Sequence, residues 1–241
     1  MTLQVGCFKW RPAPGYRSKF EGAYVNVLRN MVRRHLHIPH EFFCITDDPT
    51  GIDQDIRVIP LWDEFSTLKS PHVSPTGTVQ PSCYRRLPMY GETGRRLIGE
   101  RFWVLDMDVV ILNDVTPLVD IPDDFKIWGD TAKGTPYNGS MQLMTACARR
   151  QVYETFDPVE SPKRGRALGY IGSDQAWIGA CLGPNEKKWT ARDGVYSYRN
   201  EIKPQGGKLP HNARIVIFHG QVDPWSHQAQ MQHKWVREHY R

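Results

Sequence analysis

The chain has 241 residues, of which 40% are hydrophobic and 24% charged; it is long enough to bury a sizeable core and has the ordinary composition of a soluble α/β domain. A formal charge of +5 and a pI near 8.9 suit an anionic substrate or a polyanionic acceptor, but Lys and Arg are scattered, which excludes a basic nucleic-acid-binding tail. Five cysteines (Cys7, Cys44, Cys83, Cys147, Cys181) without a Cys-x-x-Cys pair exclude a zinc ribbon and a disulfide scaffold, and read as reduced core residues of a cytoplasmic protein.

The first residues lack a signal-peptide layout, and no apolar stretch approaches a membrane span. Leu3 to Phe8 is the first expected strand, followed by a Pro/Gly-punctuated loop from Lys9 to Tyr16. From Phe20 the period turns helical: Tyr24, Val27, Leu28, Met31 and Val32 form one stripe, with Arg29, Arg33 and Arg34 on the solvated face. Glu41 to Thr46 and Asp55 to Pro60 are the next strands, so strand, helix, strand predicts a βαβ unit and a parallel sheet. Residues 70–82, rich in Pro, Ser, Thr and Gly, form a loop long enough to be a lid or an acceptor contact, with disorder as the alternative. A helix begins near Cys83 and carries Tyr84, Arg85, Arg86 and Leu87.

Beyond Pro117, strands are expected over Lys126 to Gly129, Met141 to Met144 and Ile215 to Phe218. Helices are expected from Cys147 to Phe156, from Ser173 (as N-cap of Gly172-Ser-Asp-Gln175) onward, and from Gln228 to Tyr240; Pro158 to Gly169 reads as a loop. No internal repeat or domain boundary interrupts the chain.

The most informative stretch is Phe102 to Leu118. An apolar run, Phe102 to Leu105, ends on Asp106 and Asp108, and a second, Val109 to Leu112, comes at once. In an extended chain, positions i and i+2 share a face, so the two carboxylates point together while Met107 points away. Such carboxylates repel unless something positive lies between them; a divalent cation with its taste for oxygen is the simplest partner, and hydrogen-bonded structural carboxylates are the alternative. Two enzyme classes use this pattern: GT-A glycosyltransferases and aspartate-nucleophile phosphatases. The phosphatase motif usually stands near the start of the chain and needs later paired aspartates, whereas here the only later pair, Asp123-Asp124, comes too soon.

The order of short motifs resembles the glycogenin-type GT-A glycosyltransferases and their bacterial and phage relatives. It is carried by Tyr84-Arg-Arg-Leu87, Leu105-Asp-Met-Asp-Val-Val110, Asn138-Gly-Ser140, Gly172-Ser-Asp-Gln175 and Phe218-His-Gly220 followed by Pro224-Trp225, over nearly the whole chain. The resemblance implies one α/β GT-A domain over residues 1–241, a mostly parallel sheet flanked by helices, and transfer from a nucleotide sugar, UDP-linked by expectation. It makes His219, at a strand end, the third metal ligand beside Asp106 and Asp108; a nitrogen among carboxylates favours Mn²⁺ over Mg²⁺. Phe8, Arg85, Arg86, Asp106, Met107, Asp130, Asn138, Gly139, Ser140 and Gly220 become donor contacts. Asp174 and Gln175 fall near the anomeric carbon, with retention of configuration implied; a charge in the first turn of its helix is the other reading of Asp174.

The chain departs from the family at Asp223 and Gln221, where relatives commonly carry lysine against the diphosphate. Arg85, Arg86, Lys203 or Lys208 are the candidate replacements. The alternatives to an active transferase are a weak or inactive nucleotide-sugar-binding module on the same fold and the phosphatase. The acceptor is a glycan, glycolipid, protein or modified DNA.

Overall fold

A computed structural model describes residues 2–12, 19–69, 82–129 and 134–241. The expected loop over 70–82 therefore lies, but for Ser82, outside the described residues, as does Asp130.

The apolar run at the start forms β1 (Leu3–Lys9), and the amphipathic stretch forms α1 (Gly22–His35). They are followed by β2 (His40–Thr46) and β3 (Arg57–Pro60). The helical stripe is rotated from its expected place: Val25 joins Leu28, Met31 and Val32 in the core, and Arg29 is buried with them. Arg29 pairs there with the half-exposed Asp53 and Asp55, so its own side chain is buried at the edge of the core and does not lie on a solvated face. The stretch from Cys83 is a 3₁₀ helix (Cys83–Tyr90) that leads into α2 (Glu92–Leu97). Next come β4 (Arg101–Leu105), β5 (Val109–Ile111), α3 (Thr116–Val119), β6 (Phe125–Trp128) and β7 (Asn138–Thr145).

The helix expected over Cys147 to Phe156 shrinks to α4 (Gln151–Glu154), because Cys147 turns the chain through a positive φ of 61°. The expected loop over Pro158 to Gly169 is instead α5 (Glu160–Ala167). Its start is fixed by Asp157, whose Oδ1 accepts from Val159 N and Glu160 N, each at 2.7 Å. Pro162 is tolerated because it lies in the first turn, where its missing N–H has no helical acceptor. The chain ends with α6 (Asp174–Leu182), β8 (Lys188–Trp189), β9 (Val195–Ser197), β10 (Ile215–Ile217), α7 (His227–Gln232) and α8 (Lys234–His239). The tail is thus two short helices. The break falls at His233, whose Nε2 lies 2.8 Å from the Tyr198 hydroxyl.

Seven strands form one sheet in the order β3-β2-β1-β4-β7-β6-β8. The first four are parallel, as the βαβ pattern requires; β7 runs antiparallel to both β4 and β6, and β8 runs parallel to β6. A smaller sheet, β5-β10-β9, carries the chain away from β4. Its pairing of Ile217 with Val109 brings the end of β10 to the Asp106–Asp108 turn. Apolar side chains fill both faces of the large sheet, Val5, Trp103 and Leu105 with α1 on one side and Phe43, Phe102 and Trp177 on the other. The register also pairs Cys7 with Cys44 on adjacent strands, both free and buried.

Candidate functional site

Parallel strands β1, β2 and β4 deliver their carboxyl ends to one edge of the sheet. Because β7 runs the other way, it starts where β4 stops: Leu105 pairs with Met141, and Asp106 N donates to Ser140 O at 2.8 Å. Asn138, Gly139 and Ser140 are therefore the opening residues of a strand, not turn residues before one. They lie directly beside Asp106. Topology alone accounts for this meeting of residues more than 30 positions apart.

The centre of the cluster is Arg86. Its Nη2 donates to Asp106 Oδ1 at 2.5 Å, its Nη1 donates to Gly139 O at 3.2 Å, and Nη1 stands 3.8 Å from Asp174 Oδ2. Arg86 and Arg85 are both buried, which removes the reading of two exposed helical arginines. Burial is the largest single influence and works against the charge on Arg86, but Asp106, Cys83 and Asp174 together outweigh it and hold the guanidinium firmly cationic. Arg85 takes another path. Its guanidinium lies over the Trp10 ring at 5.0 Å and donates to Ser66 O, so of the two only Arg86 reaches the carboxylates. Phe8 is buried beneath this group, 5.9 Å from the Arg86 guanidinium and edge-on to Trp62 at 5.6 Å.

Asp174 opens α6 with a buried carboxyl whose pKa burial pushes up to about 6; the Asp106 charge adds to the rise and Arg86 opposes it. Its Oδ2 has no hydrogen-bond partner. A Cβ on Gly139 would stand 2.9 Å from that oxygen, so a glycine is what lets β7 approach the carboxylate. Ser173 holds the N-cap position but does not cap; its Oγ accepts from Cys83 N at 3.0 Å, tying α6 to the 3₁₀ helix that carries Arg86. Gln175 is turned back, with Nε2 donating to Ile171 O at 3.0 Å.

Asp108 has one buried oxygen, Oδ1, with no partner; its carboxyl is held well above the usual range by burial and by the charges of Asp106 and Asp223. Met107 is buried in the core, as the alternation expects. His219 stands just past β10, with Nε2 2.6 Å from Ser197 Oγ and its ring edge-on to Trp128 at 5.5 Å. Gly220 comes next, in an exposed turn. Among the described residues no three His, Cys, Asp or Glu side chains converge closely enough to form a finished metal shell. The structure thus brings together Asp106, Arg86, Gly139 and Asp174, and leaves Arg85 and Gln175 engaged elsewhere. Trp10, over which the Arg85 and Arg86 guanidinium groups both lie, and Ser197, beside His219, touch candidate site residues and are not singled out by the sequence pattern. Trp10 stands directly after the first strand, a position that offers a signal; Ser197 meets His219 only through the β9–β10 pairing.

No protein-family model and no curated protein sequence matches the chain. Solved structures do. The chain is similar to the galactosyltransferase LgtC in complex with donor and acceptor sugar analogs, at 14% identity and a TM-score of 0.64, over 98% of this chain and 96% of that one. It is also similar to the glycosyltransferase GlyE of Streptococcus pneumoniae TIGR4 in its apo form, at 10% identity and a TM-score of 0.58, over 100% and 61% of the two chains. The bifunctional glycosyltransferase WbbM matches at 11% identity and a TM-score of 0.58, over 99% of this chain and 50% of that one. The fold is the α/β GT-A fold of glycosyltransferases, spanning nearly all of LgtC and half to three-fifths of the other two.

Proposed function

We propose that the protein is a metal-dependent glycosyltransferase that moves a sugar from a nucleotide-sugar donor, UDP-linked by preference, to an acceptor hydroxyl with retention of configuration. The observation that carries this reading is the convergence of Asp106, Arg86, Gly139 and Asp174 at the carboxyl edge of a GT-A sheet. Transfer breaks the bond from the anomeric carbon to the diphosphate and forms one to the acceptor oxygen, whose proton leaves with the diphosphate or to solvent. Positive charge develops on the sugar and negative charge on the leaving group. A buried carboxylate and a fixed guanidinium answer those two needs.

The acidic residues fit a hard divalent cation. Asp108 Oδ1 is buried without a hydrogen-bond partner, and its carboxyl resists ionisation because of burial and the charges of Asp106 and Asp223, which a bound cation would offset. Asp106 and Asp108 would hold the ion, with His219 as the candidate third ligand. When bound, it supplies Lewis-acid neutralisation of the departing diphosphate. The chain's own residues do the rest. Arg86 orients the donor and keeps its charge at every working pH, and Asp174, ionised above about pH 6, stabilises the cationic sugar. Asn138, Gly139 and Ser140 line the sugar side; Asp130, outside the described residues, stays a candidate there, as do Phe8 beneath the guanidinium, Met107 through its backbone, Gly220 and the Asp174 neighbour Gln175. The phosphatase reading loses ground, because Asp123 and Asp124 precede β6 and so lie at the opposite end of the sheet from Asp106.

The test is a thermal-shift panel of UDP, GDP, CDP and dTDP, each with and without Mn²⁺, beside the Asp106→Asn/Asp108→Asn double variant. Binding to the folded state alone raises the melting temperature by mass action. The expected outcome is a Mn²⁺-dependent shift with UDP that the double variant lacks. No shift with any nucleotide would overturn the donor assignment.

A further inference from the structure

Gln142 is a polar side chain in the middle of β7, fully buried between the apolar Met141 and Leu143. Nothing in the proposed chemistry uses it, and a buried amide is kept only where its hydrogen bonds are met. Here both ends are. The Tyr90 hydroxyl, also fully buried, donates to Gln142 Oε1, and Gln142 Nε2 donates to Gly139 O at 3.0 Å. That carbonyl is the one to which Arg86 Nη1 donates at 3.2 Å. It is free for this purpose because the β6–β7 ladder is irregular there: Ile127 pairs with Gln142, but the next residue, Trp128, pairs with Asn138. A bulge beside a site re-aims backbone groups, and this one turns the Gly139 carbonyl onto two side-chain donors.

We propose that Tyr90 and Gln142 are positioning residues that fix the Gly139 carbonyl, and through it the Arg86 guanidinium, in the geometry that addresses Asp106 and Asp174. The inference rests on the transferase reading for its kinetic consequence but not for its structural one. The chain of bonds runs Tyr90 O–H to Gln142, Gln142 N–H to Gly139 C=O, and Arg86 N–H to the same oxygen. Each member is buried, so no water replaces a missing donor. Without Gln142, Gly139 O keeps Arg86 as its only side-chain donor among these contacts and the bulge loses its tether. The guanidinium can then rotate away from Asp174. A displacement of that kind near reacting atoms costs up to about a hundredfold in rate.

The experiment compares Gln142→Leu, Tyr90→Phe and Gln142→Glu with the wild type in two readouts. Leucine fills the amide's volume without its bonds, so the fold survives. A buried, protonated glutamic acid accepts from Tyr90 and donates to Gly139, so it restores the chain. The first readout is the side-chain NMR of the Arg86 guanidinium, assigned by its loss in Arg86→Lys. Rotation of the Nη groups is expected to be hindered in the wild type and Gln142→Glu, averaged in Gln142→Leu, and intermediate in Tyr90→Phe. The second is steady-state hydrolysis or transfer with the nucleotide sugar chosen by the thermal-shift panel. Gln142→Leu is expected to lower kcat by about tenfold to a hundredfold with donor KM within about twofold, and Gln142→Glu to recover most of kcat. Arg86 resonances unchanged in Gln142→Leu would overturn the proposal, as would a lowered melting temperature with unaltered kcat. If the wild type turns over no nucleotide sugar, the transferase reading falls while the NMR arm still decides the network.

Discussion

The two ends of the large sheet use the same kinds of residue to opposite effect. At the amino ends of β4 and β6, Arg149 donates through Nε and both Nη groups to Glu186 and Asp124 at 2.6 to 3.3 Å, with its guanidinium over the Phe125 ring. Arg101 is likewise bonded to Ile121 O, Asp123 O and Thr145 Oγ1. At the carboxyl edge, Arg86 Nε, Asp108 Oδ1 and Asp174 Oδ2 are buried with no hydrogen-bond partner, Asp174 Oδ2 having only the 3.8 Å ion-pair contact with Arg86. One end is closed and contributes stability. The other holds polar groups in reserve, at a cost in stability that a ligand can recover, which is where a binding site is expected.

Breaking the guanidinium at each end separates these roles. Arg86→Met leaves Asp106 and Asp174 facing each other without a cation. We expect a loss of about 4 kcal/mol near pH 8, and a fall in turnover of at least about a hundredfold. The stability deficit shrinks toward pH 5, because Asp174 can then take up a proton. Denaturant melts at the two pH values, alongside donor hydrolysis, check both.

Asp174→Asn acts in the other direction on stability. The folded carboxyl titrates near 6 and the unfolded one near 3.8, so between those values the folded state binds the extra proton. Wild-type stability is full below that window and falls as pH rises through it, by about 3 kcal/mol in all. The variant lacks this loss and is expected to be more stable than wild type at pH 7, while losing turnover. In the wild type kcat/KM is expected to fall below about pH 6. Arg149→Met sharpens the contrast from the closed end, with stability down by about 2 kcal/mol and turnover unchanged.

Legibility in the chain divides along the same line. The β1–α1–β2 unit, the Asp106–Asp108 strand end and the β10 strand before His219 declare themselves through local period and turn chemistry. The start of α5 does not, because its signal is one aspartate capping two backbone amides ahead of a proline that usually stops helices. Ser173 has the look of an N-cap because local pattern cannot reveal that Cys83, 90 positions away, claims its hydroxyl. Arg29 shares a face with Arg33 and Arg34 in the pattern, and only the arrival of Asp53 and Asp55 buries it. The Tyr90–Gln142–Gly139 chain is of the same kind. It exists through a strand register and a bulge, neither of which hydrophobic period encodes.

Asp223 is the smallest of these effects and the one that bears on the departure from the family pattern. It is buried, and the residues after it are anchored: Ser226 Oγ donates to Asp223 O at 2.6 Å, and Trp225 stacks on Tyr24 of α1 at 4.2 Å. The charge of Asp223 adds to that of Asp106 in holding the Asp108 carboxyl above its usual range. Where lysine would attract a diphosphate directly, a carboxylate here would, on the proposed reading, favour a cation held by Asp106 and Asp108 and disfavour a bare diphosphate. Asp223→Asn is expected to raise stability on the order of 1 kcal/mol without ligands. It should also shrink the melting shift produced by Mn²⁺ alone and enlarge the shift produced by a nucleoside diphosphate without metal. If both shifts match the wild type, Asp223 has no electrostatic hold on the site, and the fixed positive charge that lysine would provide falls to Arg86, Lys203 or Lys208.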